Sequence, residues 1–270
     1  LETPSTAGVR QINSEYTANE AKRTKQTASP VILGGSFEID RVIAQTSGAI
    51  NEMDFQIKQK TKAGANYFHN LVINGTSASS GVGYVPNTFD GLKKILSGKS
   101  TEMTTDIDVS TSAMLDSNYN AFLDELDTFL ALLAAKPDVL MMNNKMLTKI
   151  RSAARRAGYY DRSKDDFGRT VETYNGILLM DAGEYYNGSA TEDVVATSTP
   201  DSTHYGTSDI YAAKLGLDAF HGISVDGSKM LKTYLPDMSA PGAVKKGEVE
   251  LIAGAVLKNS KMAGVLKGIK

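Results

Sequence analysis

One stretch of the chain, residues 34–75, constrains the fold most, because its hydrophobic period changes midway. In its first part apolar and polar residues alternate, with Phe37 and Ile39 on one side and Glu38 and Asp40 on the other. An alternation of period two predicts a β-strand. We therefore predict a β-strand in the first part of this stretch, directly before its second part.

The second part of this stretch has a helical period. Apolar residues from Ile50 to Leu71 recur at spacings of three, four or seven, which places them on one face of a helix. Asn51 and the acidic residues after it suit a helix start, and Asn74-Gly75 suits a helix end. At about 1.5 Å per residue, a helix over about 51–74 is a rod of roughly 35 Å. We predict that other elements lie across this helix.

Composition excludes several kinds of protein. The 270 residues can form one large domain or two closely joined ones, and the net charge of -2 gives no sequence-wide attraction to nucleic acid or to an anionic membrane. Cysteine is absent, which excludes disulfides, thiolate catalysis and thiolate-held metal. No apolar run approaches the length of a membrane span, and the start of the chain lacks the pattern of a signal peptide.

Two more helices and a buried strand are predicted in the middle of the chain. An apolar stripe begins after Asp116, and either Asp116 or Ser117 can cap this second helix, which Pro137 ends. The apolar run at 138–142 is typical of a buried strand. Asn144 is the predicted cap of a third helix, which ends near Gly158.

The rest of the chain favours strands. Asn175-Gly176 is a strong signal for a hairpin turn. Segments 210–216 and 222–225 are expected as strands of one layer, and 247–254 with 263–269 as a closing β-hairpin. Together with the helices, these strands predict an α+β fold.

The sequence offers little for catalysis. The histidines have no metal-ligand spacing, Gly81-Val-Gly83 lacks the Gly-Lys-Ser/Thr of a phosphate-binding loop, and no Gly-x-Ser-x-Gly elbow is present. Glu38 and Asp40 share one strand face, and two carboxylates facing each other across a cleft would suit hydrolysis. A carboxylate-dependent hydrolase therefore stays an alternative, while we predict no enzyme, no cofactor and no metal.

Several segments, taken in order and spacing, resemble one family. Residues 34–42, the long helix ending at Asn-Gly, and 89–94 together resemble the major capsid proteins of tailed bacteriophages, which have the Hong Kong 97-like shell fold. Residues 143–150 and 174–181 are similar to this family's segment after its central strand and to its next strand. The resemblance covers most of the chain from about Ser14.

The resemblance implies a division of the chain and a structural function. The expected parts are an N-terminal arm and extended loop (1–33), a peripheral domain (34–134, with its spine helix at about 51–74), an axial domain (135–235) and a C-terminal hairpin of the peripheral domain (236–270). The implied function is self-assembly into hexamers and pentamers of an icosahedral shell that encloses double-stranded DNA. A nanocompartment shell of the encapsulin type, which holds a cargo enzyme, is the first alternative.

The resemblance also implies partners and a location. We expect copies of the same chain, packaged DNA bound without sequence specificity, a portal, a scaffold or maturation protease, and possible decoration proteins, but no membrane. The expected location is the virion, assembled in the host cytoplasm. A start at Leu1 rather than Met fits either a trimmed or renumbered sequence or proteolytic maturation.

Charged residues are the expected inter-subunit contacts, since an exposed charge pair contributes only about 0–1 kcal/mol and such weak contacts are correctable during assembly. The expected contact residues lie in the arm, in the strand that follows it and near the centre of a ring: Arg23, Lys25, Glu38, Arg41, Arg162, Lys164 and Asp165.

Overall fold

The computed structural model describes residues 2–3, 5–23, 27–46, 51–77, 88–158, 161–164, 170–198, 206–225 and 230–270. Its helices are α1 (Arg41–Thr46), α2 (Glu52–Asn74), α3 (Leu92–Leu96), α4 (Ser112–Ala131) and α5 (Asn144–Ala157), with a short 3₁₀ turn at Ser260–Met262. Its strands are β1 (Glu2–Thr3), β2 (Lys22–Arg23), β3 (Val31–Asp40), β4 (Glu102–Thr104), β5 (Val139–Met142), β6 (Asp161–Lys164), β7 (Thr170–Tyr174), β8 (Ile177–Asp181), β9 (Glu184–Tyr186), β10 (Thr191–Asp193), β11 (Ser208–Ala213), β12 (Phe220–Ile223), β13 (Leu231–Tyr234), β14 (Val244–Leu257) and β15 (Ala263–Ile269).

Two sheets organise the described residues. A seven-stranded mixed sheet has the order β4-β15-β11-β5-β8-β7-β6. A four-stranded sheet is built on the long strand β14, which pairs with β3, β12 and β13. Helices occur together with sheets that contain parallel and antiparallel strand pairs, so the predicted α+β fold is confirmed.

The long helix α2 begins and ends as its sequence predicts. The Asn51 side chain accepts the backbone N–H groups of Met53 and Asp54, and the N–H of Gly75 donates to the carbonyl of Leu71. The helix packs on β3 and β14, and further along on β9. Only Leu71 and Ile73 of its residues are buried, so most of its length is held against the protomer on one side only.

The central strands of the seven-stranded sheet, β5, β11 and β15, are buried on both faces. In β5, Val139 and Met141 join a core beneath α2 and α3, whereas Leu140 and Met142 join a second core beneath α4 and α5. Side chains of a strand alternate between the faces, so a strand between two cores needs an unbroken apolar run. This explains the apolar run that the sequence shows at this position.

The predicted closing hairpin is wrong. Strand β14 pairs with β3, β12 and β13, whereas β15 pairs with β11 and with β4, so the two strands lie in different sheets. The residues from Ala263 to Leu266 are all buried, which requires a place inside the doubly covered sheet. The two strands expected at 210–216 and 222–225 are likewise separated, since β11 and β12 belong to different sheets.

Two helix starts differ from the predicted ones. Helix α4 begins at Ser112 because the hydroxyl of Thr111 accepts the N–H of Met114 at 3.2 Å. Helix α5 is capped by Asn143, whose Oδ1 accepts the N–H of Met146 at 2.8 Å, and not by Asn144. Several residue types can cap a helix, so local sequence left these choices open.

Candidate functional site

The N-terminal arm exposes apolar side chains. In the predicted arm, these side chains lie within residues 5–22. The strands at the two ends of this segment, β1 and β2, pair antiparallel and so bring its ends together. Val9, Ile12 and Tyr16 are 102%, 91% and 63% exposed. The guanidinium of Arg10 lies 5.6 Å from the ring centre of Tyr16, and this contact is itself at the surface. Exposed apolar side chains grouped on one segment are typical of an interaction site.

Two of the predicted contact residues lie at one end of the four-stranded sheet. Glu38 is exposed on the outer face of β3, directly opposite Lys246 in β14. Arg41 is the exposed first residue of α1, and its backbone N–H donates to the carbonyl of Ala243 at 2.9 Å. The structure thus places Glu38 and Arg41 near each other, at a corner where another molecule has access.

The other predicted contact residues lie elsewhere or outside the described part of the chain. Arg162 and Lys164 belong to β6, the edge strand of the seven-stranded sheet, and Arg23 belongs to β2. The side chains of these three residues, and all of Lys25 and Asp165, lie outside the described residues. Their roles stay predictions.

An apolar rim, which sequence reasoning missed, runs from the corner that carries Arg41 along the four-stranded sheet. We define it as Val42, Ile43, Tyr234, Leu235 and Val244, each more than half exposed. Val244 pairs with Asp40 at the end of β3, next to α1, and Tyr234 pairs with Glu248 further along β14. The signal in the sequence was two apolar doublets in polar surroundings, but without the fold nothing joins them into one surface.

A polar cluster lies between β4, β11 and β15. Burial raises the pKa of Asp209, even though the N–H of Gly268 donates to its carboxylate at 3.3 Å. Burial and the nearby Asp209 carboxylate raise the pKa of Tyr211, which is only 1% exposed. A hydrogen bond from Lys267 holds the pKa of Glu102 below its usual range. The phenol is buried, and the cluster joins the three strands.

Of the suspected carboxylate pair, Asp40 binds the backbone. Glu38 and Asp40 both lie on the outer face of β3, and the Asp40 carboxylate accepts the N–H of Val42 at 2.7 Å where α1 begins. In the part of the chain that the structure describes, no group of three or more His, Cys, Asp or Glu residues is placed to hold a metal ion. Nor does any helix there combine the length and apolar character that crossing a bilayer requires.

The fold and these surfaces define a class of protein. A long helix laid on one sheet, a second sheet between two cores and a projecting arm are together the Hong Kong 97-like architecture of capsid shell proteins. A model of one family, described as SU10 major capsid protein, matches residues 11–178. The chain therefore belongs to the SU10 major capsid protein family. No curated protein matches it.

Solved structures share the fold at low sequence identity. The SrpI encapsulin of Synechococcus elongatus PCC 7942 is 13% identical with a TM-score of 0.67, over 93% of this chain and 78% of that one. A chain of Mycobacterium phage Ogopogo is 12% identical with a TM-score of 0.59, over 100% and 86%. The capsid of an empty GTA particle is 13% identical with a TM-score of 0.59, over 99% and 82%.

The family match and the shared fold agree with the function predicted from the resemblance. The chain is a structural protein of a capsid shell, and a tailed-phage major capsid protein was the family that its sequence segments resembled. Self-association into a shell is part of that structural function.

Proposed function

We propose that this chain self-assembles into the hexamers and pentamers of an icosahedral shell that encloses double-stranded DNA. The observation that carries the proposal is a protomer with the capsid fold whose arm and apolar rim have exposed apolar side chains, Val9 and Ile43 among them. A surface that is complementary to a different surface of the next copy produces rings and closed shells when it is repeated. Burial of the arm and of the rim by neighbouring copies then supplies the stability of the shell.

We also propose that the peripheral and axial parts divide along the two sheets. The peripheral part contains α2 and the four-stranded sheet, and the axial part contains the seven-stranded sheet with α4 and α5. The packing supports this division, because α4 contacts α5 and β15 and shares their core. The axial part then extends beyond 135–235, since it gains α4, β4 and β15.

Charged contacts between copies are proposed at three places. Glu38 and Arg41 flank the apolar rim and would set the orientation of a neighbouring copy, while Arg162, Lys164 and Asp165 would meet their counterparts around the ring axis. Arg23 and Lys25 would act at the base of the arm. A portal, a scaffold or maturation protease and a decoration protein are further proposed partners, with assembly in the host cytoplasm.

A nanocompartment is the second candidate. It is supported by the similarity to the SrpI encapsulin, with a TM-score of 0.67 over 93% of this chain. In that case the shell would hold a cargo protein instead of a genome. The difference is measurable, because packaged DNA dominates the absorbance of a particle at 260 nm whereas a protein cargo does not.

Negative-stain electron microscopy, light scattering and absorbance of the purified particles test these proposals. A matched pair of variants tests the rim: Ile43→Asp introduces a charge at a 53% exposed apolar position, and Gln45→Asp introduces the same charge at an exposed polar position of α1. We expect folded protein from both variants, with shells from Gln45→Asp only. Shells of normal yield from Ile43→Asp would refute the role of the rim.

A further inference from the structure

Helix α2 carries a concentrated positive charge. After Asp54 the helix contains Lys58, Lys60 and Lys62, and the next acidic residue of the chain is Asp90. Residues 55–89 therefore have a net charge of +3, from three lysines and no carboxylate, in a chain whose net charge is -2. The remaining 235 residues together carry -5, so the chain separates its charges along its length.

The exposed part of this charge forms a stripe. Lys58, Lys62, Ala65 and His69 follow one another at spacings of four, three and four, so they share one face of α2, and all four are exposed. We call Lys58, Lys62 and His69 the basic stripe, which is about 16 Å long at a rise of about 1.5 Å per residue. Among the described residues neither lysine of the stripe has an ion-pair partner.

The stripe points away from the four-stranded sheet. Leu71 and Ile73 of α2 pack in the same core as Leu33 and Leu251, which defines the inner face of that sheet. Lys60 lies on this inner side too, since a Cβ built on Gly35 would lie 3.5 Å from its Cδ. Because Lys58 and Lys62 are on the opposite side of the helix, they face outward from the layer that α2 and the sheet form.

The outer face of the same sheet has the opposite charge. The strand register places these charged residues on it: Glu38, Asp40, Glu248 and Glu250, with Lys232 and Lys246. Four carboxylates and two amino groups give this face a net charge of -2. Helix α2 as a whole has a net charge of +1, because Lys58, Lys60 and Lys62 outnumber Glu52 and Asp54, and Asp54 lies on the face of the stripe next to Lys58. The layer is thus polarised across its thickness, weakly basic on the helix side and acidic on the sheet side.

We propose that the basic stripe of α2 faces the interior of the shell and contacts the phosphates of the enclosed double-stranded DNA; this inference rests on the proposed function. Each phosphate that a lysine neutralises releases condensed counterions, which favours binding whatever the base sequence. A basic inner side and an acidic outer side direct the nucleic acid to one side of the shell only. The small side chain of Ala65 lets a phosphate backbone approach the helix between Lys62 and His69.

The first test is the salt dependence of DNA binding by the full chain before assembly, measured by fluorescence anisotropy with a short labelled duplex. Lys58→Gln and Lys62→Gln should each reduce the slope of log K against log salt by about 0.9, the value for one phosphate contact. Lys246→Gln, an exposed lysine on the outer face of the sheet, is the matched control and should leave the slope unchanged. Unchanged slopes in both α2 variants, or an equal drop in the control, would overturn the proposal.

The second test is the orientation of α2 in closed shells. The chain has no cysteine, so a single introduced thiol reports its own position. Ala65→Cys lies in the stripe and Ser36→Cys on the outer face of β3, and both positions are exposed in the protomer. With a polyethylene glycol maleimide too large to cross the shell, Ser36→Cys should react in closed shells and Ala65→Cys only after dissociation.

The outcomes separate the two proposals. Labelling of Ala65→Cys in closed shells refutes the interior position of the stripe, although the shell itself stands. If no variant and no unmodified protein forms shells, the proposed function fails, and the anisotropy slopes still decide whether the stripe binds DNA. Shells whose Lys58→Gln and Lys62→Gln variants enclose less DNA, at equal shell yield, would support the inference.

Discussion

Replacing Asn143 by alanine should destabilise the protomer more than any other single polar substitution proposed for this chain. The side chain is 1% exposed and has four hydrogen bonds. Its Oδ1 caps α5, and the two N–H groups of its Nδ2 are shared among three acceptors: the Val195 carbonyl at 3.0 Å, the Thr197 hydroxyl at 3.1 Å and the Ser208 hydroxyl at 2.9 Å. It therefore joins a helix, a strand and the segment after β10.

The magnitude follows from what the alanine leaves behind. Loss of the cap costs about 1 kcal/mol. Two of the freed partners, the Val195 carbonyl and the Ser208 hydroxyl, belong to buried residues, and each unsatisfied buried group costs about 1–3 kcal/mol. Their sum predicts a loss of roughly 3–7 kcal/mol in the free energy of unfolding. Asn143→Ser keeps a capping oxygen and should recover about 1 kcal/mol of this loss.

Urea unfolding of the unassembled full chain, followed by circular dichroism, measures this loss as a lower midpoint at an unchanged slope. Asn144→Ala is the matched control, since Asn144 is exposed and is the cap that the sequence alone suggested. We expect a change within about 0.5 kcal/mol for this surface variant. An Asn143→Ala loss below about 1 kcal/mol, or an equal loss in Asn144→Ala, would refute the assigned cap and network.

Three further predictions concern packing and pH. Gly247→Ala should cost about 1–3 kcal/mol in thermal unfolding, because its Cβ would lie 2.5 Å from the Phe37 ring. Leu126→Ala, at a position with 0% exposure, should leave a cavity and cost about 2–5 kcal/mol in urea unfolding. Glu102→Gln should be less stable than the unmodified chain mainly above pH 4.5, the usual pKa of this carboxyl. The hydrogen bond from Lys267 lowers the pKa of Glu102 in the folded state. The stabilisation from this hydrogen bond is therefore lost as the pH falls through the folded-state pKa.

Each of these predictions has a control. Gly35→Ala places its Cβ 3.5 Å from the flexible Lys60 side chain, so it should be nearly neutral, and a loss equal to that of Gly247→Ala would contradict the packing argument. Leu132→Ala, at 41% exposure, should cost much less than Leu126→Ala. A stability difference for Glu102→Gln that grows on acidification would have the wrong sign for a lowered pKa.

The sequence correctly predicted those elements that depend only on neighbouring residues, such as a helix cap, a hairpin turn and a buried strand. Asn51 accepts two N–H groups at the start of α2, and Asn175 and Gly176 adopt φ angles of 50° and 69° in the turn between β7 and β8, so the predicted hairpin turn is confirmed. The unbroken apolar run of β5 was predicted correctly as a buried strand, since burial on both faces requires such a run.

Pairings between distant strands could not be predicted in the same way. β14 and β15 are separated by a short turn and look like a hairpin, yet β15 pairs in parallel with β4, about 160 residues earlier in the chain. The alternation of apolar and polar residues in a strand shows which of its faces is buried, but it does not specify which strand pairs with it. The apolar rim was missed for the same reason, because only the pairing of β3, β13 and β14 brings the strand that leads to Ile43 and the strand that carries Tyr234 into one sheet.

The central claim is that this chain closes into a shell, and electron microscopy of the purified full-length protein tests it most directly. We expect closed particles tens of nanometres across, with nucleic-acid absorbance inside them when they are isolated from an infected or expressing host. A monodisperse small oligomer, without shells at any salt or crowding condition and with light scattering to match, would contradict it.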